Sequence, residues 1–333
     1  MTRVSRVAVV AALLLFGTPL TALAHGEVAP PPTFPGVLLA WRFDPIPIIG
    51  VVVAAVAYLW AVRRVGARHP ANRPPRGRAI AFMAGLVAIL LALVSPIEAY
   101  EGQLFSVHMV QHMLLELVAA PLLLLGAPIT LTLRASSASV RRVLLAILQS
   151  RIVHVISFPV IAWVLFAAVN WGWHFSALYN VALENEPLHY FQHVTFLAAA
   201  LLFWWPVIGL DPSPWRMPHP VRLFYLFLAM PQNSFLGVAL MSTGEVLYPH
   251  YLSNLRAWGP SPLDDQHLGG ILMWVMGDMA FLVGMGLVVA SWVRLEDRRT
   301  ARLDARLDAR LEAEAAARGE ASVPADTSVG GSR

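Results

Sequence analysis

Long apolar runs alternate with short polar ones through most of this chain. Seven runs stand out, at about 46–63, 79–98, 105–128, 152–172, 188–209, 221–243 and 268–293. Each holds roughly the 20 residues that a helix needs to cross a hydrocarbon core of about 30 Å. In that core water cannot satisfy the backbone, so a segment must bond within itself as a helix or close into a barrel. Runs this long, without strict polar–apolar alternation, predict helices. The pattern therefore predicts an all-α, polytopic membrane protein with seven transmembrane helices.

Charge sorts the connections into two sets. The 63–78 loop carries Arg63, Arg64, Arg68, Arg73, Arg76 and Arg78. Arg134, Arg141, Arg142 and Arg151 lie in 129–151, Arg216 lies in the 210–220 loop with Arg222 just beyond it, and Arg294, Arg298 and Arg299 follow the seventh run. The alternate connections carry Glu98, Glu101, Glu184, Glu186, Glu245, Asp264 and Asp265. Arginine concentrates in cytoplasmic loops, so the N-terminus is expected outside and the C-terminus in the cytoplasm. Residues 136–150 suit a short interfacial helix, with Val140, Val143, Leu144 and Ile147 on one face.

The flanks read differently. Residues 1–24 have the form of a signal peptide: Arg3 and Arg6, an apolar core, then Ala22-Leu23-Ala24. Cleavage there would expose His25. Residues 25–45 form an extracytoplasmic Pro-rich linker, 46–294 the seven-helix domain, and 295–333 a polar cytoplasmic tail, partly disordered. Its repeats RLDA, RLDA and RLEA at 302–313 put Leu303, Leu307 and Leu311 on one stripe.

Composition narrows the chemistry. The chain is 57% hydrophobic and 13% charged, against about 25% charged for soluble domains. Its 24 basic residues are all Arg and the net charge is +4. They sit in short loops without interleaved aromatics, which excludes a nucleic-acid site. There is no Cys, which excludes disulfides and thiolate metal ligation.

The polar residues inside the apolar runs remain. Ionisable groups in membrane helices are costly and mark function. His108, His112 and Glu116 follow at steps of four, on one stripe of the third run. His189 and His193 repeat the spacing in the fifth, and His174 ends the fourth. Side chains four apart on a helix lie about 5–6 Å apart at Cβ, near enough to share an ion. All five histidines fall at the predicted outer ends. His267 and Asp278 share a face of the seventh run, and Gln232, Asn233 and Ser234 sit midway along the sixth. Imidazole without thiolate suits copper, zinc or iron, and the thioethers of Met109, Met113, Met241, Met273 and Met276 at similar depth favour copper. Zinc is the runner-up. Glu116, Asp278, Asp265, His267 and Asn233 are expected to orient ligands or relay protons.

The blocks HMVQHMLLELVAAPLLLLGAP at 108–128, WHFSALYNVAL at 173–183, LHYFQHVTFLAAALLFWWPV at 188–207 and DQHLGGILMW at 265–274 carry a resemblance. In them the chain resembles the CtaG-type cytochrome c oxidase assembly factors of bacterial membranes. The positions that match are His108, His112, His174, His189, His193 and Asp265. One departure is Phe175-Ser176, where the family often has proline. His267 stands at a position expected to vary.

The resemblance implies a non-enzymatic plasma-membrane protein that binds copper at the outer face and delivers it to a haem–copper oxidase. Oxidase subunits and a copper chaperone acting as donor would be its partners. A copper transporter, or a proton-coupled metal transporter using Glu116, Gln232, Asn233 and Asp278, is the alternative. A b-type haem protein is a weaker one, because haem takes single histidines facing across a bundle.

Overall fold

A computed structural model describes residues 31–253 and 256–321. The signal-peptide segment and His25 lie outside the described residues. Those described are helical, with no strand among them. Six helices are long and apolar enough to cross a bilayer, and a bent pair makes the seventh. In chain order the spans are Pro45–Arg68, Arg76–Tyr100, Phe105–Ala135, the pair Pro159–His174 and Leu178–Glu184, Glu186–Ile208, His219–Met241, and Pro262–Glu314. This is a multi-pass membrane protein.

Local chemistry starts the helices. Asp44 accepts from the Ile46 amide at 2.8 Å, and Pro45 fills the first helical position of span one, where a missing N–H costs nothing. Asn185 does the same for span five, accepting from Leu188 N at 3.0 Å ahead of Pro187. Both are side-chain caps for amides that the helix itself cannot satisfy.

Three elements depart from the simple reading. Span three is not a uniform α-helix: Leu114–Ala119 forms a π-helical turn, then Ala127 turns left-handed at φ 49° and Pro128 restarts the helix as far as Ala135. The bend there is fixed by packing. A Cβ on Gly126 would lie 2.7 Å from Phe82 Cβ, and Tyr58 donates to the Gly126 carbonyl at 2.8 Å.

Span four begins later than the apolar run at 152–172. A short helix, Arg151–Ile156, stops before Phe158-Pro159, since a residue preceding proline disfavours the α conformation. Beyond His174 the chain bends by 69° into Leu178–Glu184. The helix of span seven is continuous for 60 residues to Ala321, about 90 Å at 1.5 Å per residue. It carries Leu303, Leu307 and Leu311 as an exposed stripe. The 136–150 segment holds a helix, Ala138–Leu148, with Val140, Val143 and Ile147 exposed.

Span three is the hub and packs against spans two, five and seven. Spans six and seven form the tightest pair. A Cβ added to Gly237 would lie 2.7 Å from the Gly270 carbonyl oxygen, and one on Gly270 equally close to that of Gly237. Small residues permit this approach where lipid supplies no hydrophobic drive between helices. One aromatic core gathers Phe166, Phe203, Trp204 and Phe281. Another, around Phe105, Met109, Tyr179, Tyr248 and Tyr251, lies at the end where spans three and seven begin. Large apolar side chains such as Ile49, Val53, Ile80, Phe224 and Val283 stay exposed on the bundle's outside, as a lipid-facing surface requires.

Candidate metal centre

The site is built where span three starts. Its first amides have no partner within the helix, and span seven supplies one. Asp265 accepts from Phe105 N at 2.6 Å and Ser106 Oγ at 2.5 Å, with Arg256 at 3.9 Å. Asp265 thus holds the helix end that carries His108 and His112.

Four histidines meet just below it. His108 Nε2 lies 2.8 Å from His112 Nε2 and 3.4 Å from His189 Nε2. The His189 and His193 ring centres are 4.3 Å apart, and His193 lies 5.5 Å from His112. His108, His189 and His193 each offer a ring nitrogen within 4.8 Å of the other two. His108, His112 and His193 are buried.

The hydrogen-bond network assigns the tautomers. His108 Nδ1 faces Tyr251 OH at 3.1 Å and Glu101 Oε2 at 3.2 Å. The Tyr251 hydroxyl donates to the Glu101 carbonyl at 3.2 Å, so His108 Nδ1 donates and Nε2 keeps its lone pair. Gln111 spends both amide hydrogens, on the Ala92 carbonyl at 2.9 Å and on Glu98 at 2.6 Å. Its oxygen therefore receives a hydrogen from His193 Nε2 at 3.2 Å. That leaves His193 Nδ1 with a free lone pair, buried and without a hydrogen-bond partner, as is His112 Nδ1. Buried polar atoms are seldom orphaned. A buried imidazole lone pair with no donor to meet it is what a metal ion would satisfy.

A cavity of about 500 Å³ reaches this cluster, with His189 and His193 on its wall. Asp44, Glu98, Glu101, Glu184 and Glu186 line it against one cation, Arg42. Glu101 stands in the turn before span three, 3.9 Å from His189 Nε2 as well as beside His108. Burial raises its carboxyl above the usual carboxylate range, while Arg42 pulls it back.

The other expected residues are dispersed. His174 is buried in a neighbouring position. Its ring lies 6.4 Å from His112, its Nδ1 donates to the Asn170 carbonyl at 2.7 Å, and its Nε2 faces Met109 Sδ at 3.5 Å. Glu116 sits in the π turn below His108 and His112. Asn170 donates to its two oxygens at 3.3 and 3.4 Å, and the Trp204 indole donates to its backbone carbonyl at 3.0 Å. Asp278 is tied to span six instead, accepting from Ser234 Oγ at 2.8 Å and Asn233 Nδ2 at 3.3 Å. His267 donates to the Thr243 carbonyl at 2.9 Å. Asp278, Asn233 and His267 thus belong to the contact between spans six and seven, and Asp265 to the start of span three.

Glu101, Gln111, Asn170 and Tyr251 contact the histidines and escape the sequence pattern. The closest signal was Glu101, an acidic residue seven positions before His108. Gln111 and Asn170 were legible only as polar residues in apolar runs.

Fold and site together describe a multi-pass helical membrane protein with buried histidines gathered at one end of the bundle. The chain belongs to the cytochrome c oxidase caa3 assembly factor family, whose model matches residues 56–295. It is 35% identical over 283 residues to uncharacterised proteins of Mycobacterium bovis and Mycobacterium tuberculosis, which covers 83% of this chain and 42% of each relative. A Mycobacterium leprae protein, also uncharacterised, is 32% identical over 286 residues, 84% of this chain and 43% of its own length. The chain thus spans less than half the length of these relatives. No solved structure matches it.

Proposed function

We propose that this assembly factor holds copper as cargo at His108, His112, His189 and His193 and passes it to a haem–copper oxidase. The observation that carries the reading is the convergence of the His108, His112 and His189 Nε2 atoms, 2.8 and 3.4 Å apart in a buried pocket. A neutral imidazole has one hydrogen and one nitrogen lone pair; His108 and His193 turn their hydrogens to Tyr251 or Glu101 and to Gln111, so lone pairs are left in the cluster without donors. A metal ion removes that imbalance, and nitrogen-only donors suit copper and zinc. The acidic cavity supplies a route for a cation. Four imidazoles around one ion would leave no open position for catalysis, so the role is carriage, not an enzyme reaction. The site would face outward from the bacterial plasma membrane, with a copper chaperone as donor.

Copper measured in the purified protein tests this. The double variant His108→Ala/His112→Ala is expected to lose most of the copper that the wild type holds. Equal copper in the two proteins removes the site. Loss of the gene should then lower oxidase copper, and added copper should restore it in part.

A further inference from the structure

His174 and Met109 present an unusual pairing. His174 Nδ1 lies 2.7 Å from the Asn170 carbonyl, which can only accept, so that nitrogen carries the ring hydrogen. Nε2 is then a bare lone pair. It faces Met109 Sδ at 3.5 Å, and a thioether also has no hydrogen to give. Two acceptors thus oppose each other in a pocket where Met109 is 0% and His174 3% exposed. Either a second ring proton makes a buried imidazolium, which is costly without a counter-charge, or an electron-pair acceptor belongs between them.

The separation suits a shared ion. With bonds of about 2.0 Å to nitrogen and about 2.3 Å to sulfur, a 3.5 Å gap subtends roughly 109° at the metal. Thioether with imidazole is a soft donor set that favours Cu(I). The pair also stands apart from the four-histidine cluster in its access. His174 lines a separate cavity of about 460 Å³ with Phe175, Asn180 and Tyr248, whereas His189 and His193 line the acidic one. His112 lies between the two groups, its ring 4.3 Å from His108 and 6.4 Å from His174.

We propose that Met109 Sδ and His174 Nε2 form a second, sulfur-containing Cu(I) site, joined to the histidine cluster through His112 and opening on its own cavity. The proposal rests on the copper-carrying reading above. It gives the cargo two stations and two mouths: an acidic one on the His189 side and an uncharged one on the His174 side. A soft, thioether-bearing station next to the second mouth is the one from which Cu(I) is handed on.

X-ray absorption on the full chain, loaded with Cu(I) in detergent, tests it. The chain has no cysteine, so any Cu–S scattering comes from methionine. Sulfur scattering near 2.3 Å is expected in the wild type. In Met109→Leu the sulfur signal should vanish and copper per chain should fall by about half, with the nitrogen-only signal retained. Selenomethionine-labelled protein provides the same reading with the methionine side chain kept in shape: copper should appear as a neighbour of selenium, and His174→Ala should abolish it. Copper bound by nitrogen alone in the wild type, or sulfur scattering that survives Met109→Leu, overturns the second site while leaving the first intact. A wild-type protein that binds no copper overturns both.

Discussion

At the scale of single residues, Glu101 has the most to explain. Its carboxyl is buried, with Oε2 beside His108 Nδ1 and near His189 Nε2. A carboxylate beside the Nδ1–H of a ligating imidazole fixes the tautomer and raises the ring's basicity, and losing such a partner typically costs about 10–100-fold in metal affinity. Glu101→Gln keeps the shape and removes the charge, so copper affinity in a competition titration should fall by roughly that factor. Unchanged affinity would mean that Glu101 serves the fold alone. The two histidine pairs were legible because i,i+4 spacing is a local property of a helix, and His174 because it ends an apolar run. Their partners were not: Gln111 orients His193 across two helices, and Asn170 links Glu116 to His174 only after span four has docked on span three. The step-of-four rule is less direct for Glu116. It assumes an unbroken α-helix, and the π turn at Leu114–Ala119 departs from one.

Among the elements, the pairing of spans six and seven governs the site from a distance. Span seven carries Asp265, which caps span three, and Gly269, where a Cβ would lie 2.4 Å from Phe105 Cδ1 and 3.2 Å from Met109 Cγ. A displaced span seven therefore moves the start of span three, and with it His108 and Met109. Gly270 meets backbone, the Gly237 carbonyl oxygen at 2.7 Å, which cannot swing aside as a side chain would. Gly270→Val should destabilise the protein by about 1–3 kcal/mol through overpacking, seen as a lower thermal midpoint in detergent. Asp265→Ala should cost about 0.5–2 kcal/mol as a lost cap, and it should weaken copper binding more than Gly270→Val does at equal loss of stability. Similar copper loss for equal destabilisation would reduce Asp265 to a stabilising cap. Helix existence was legible throughout from apolar length. The break before Pro159 was marked by the proline itself, but the 69° bend after His174 has no equally clear mark. The close contact of Gly237 with Gly270 depends on two helices meeting, which neither sequence segment encodes alone.

On the scale of the whole molecule, the arginine-rich connections and the histidines lie at opposite ends. The arginines of 63–78, 129–151 and 210–222 connect the ends of the spans remote from the histidines, and the acidic connections surround the cluster. The preference of arginine for the cytoplasmic side favours the proposed orientation, in which the histidine end faces out and copper for an oxidase would be loaded from outside the cell. This orientation can be tested without background, because the chain has no cysteine to compete. Glu184 lies at the end of the bent pair and on the wall of the acidic cavity, and Asn72 lies between spans one and two among the arginines. In intact cells a membrane-impermeant maleimide should label Glu184→Cys, and it should label Asn72→Cys only after the membrane is opened. The reverse labelling would place the histidines in the cytoplasm and leave the acidic cavity facing the cell's own copper. The carriage reading would then become one of export, with the same residues holding the ion and the oxidase no longer its natural recipient.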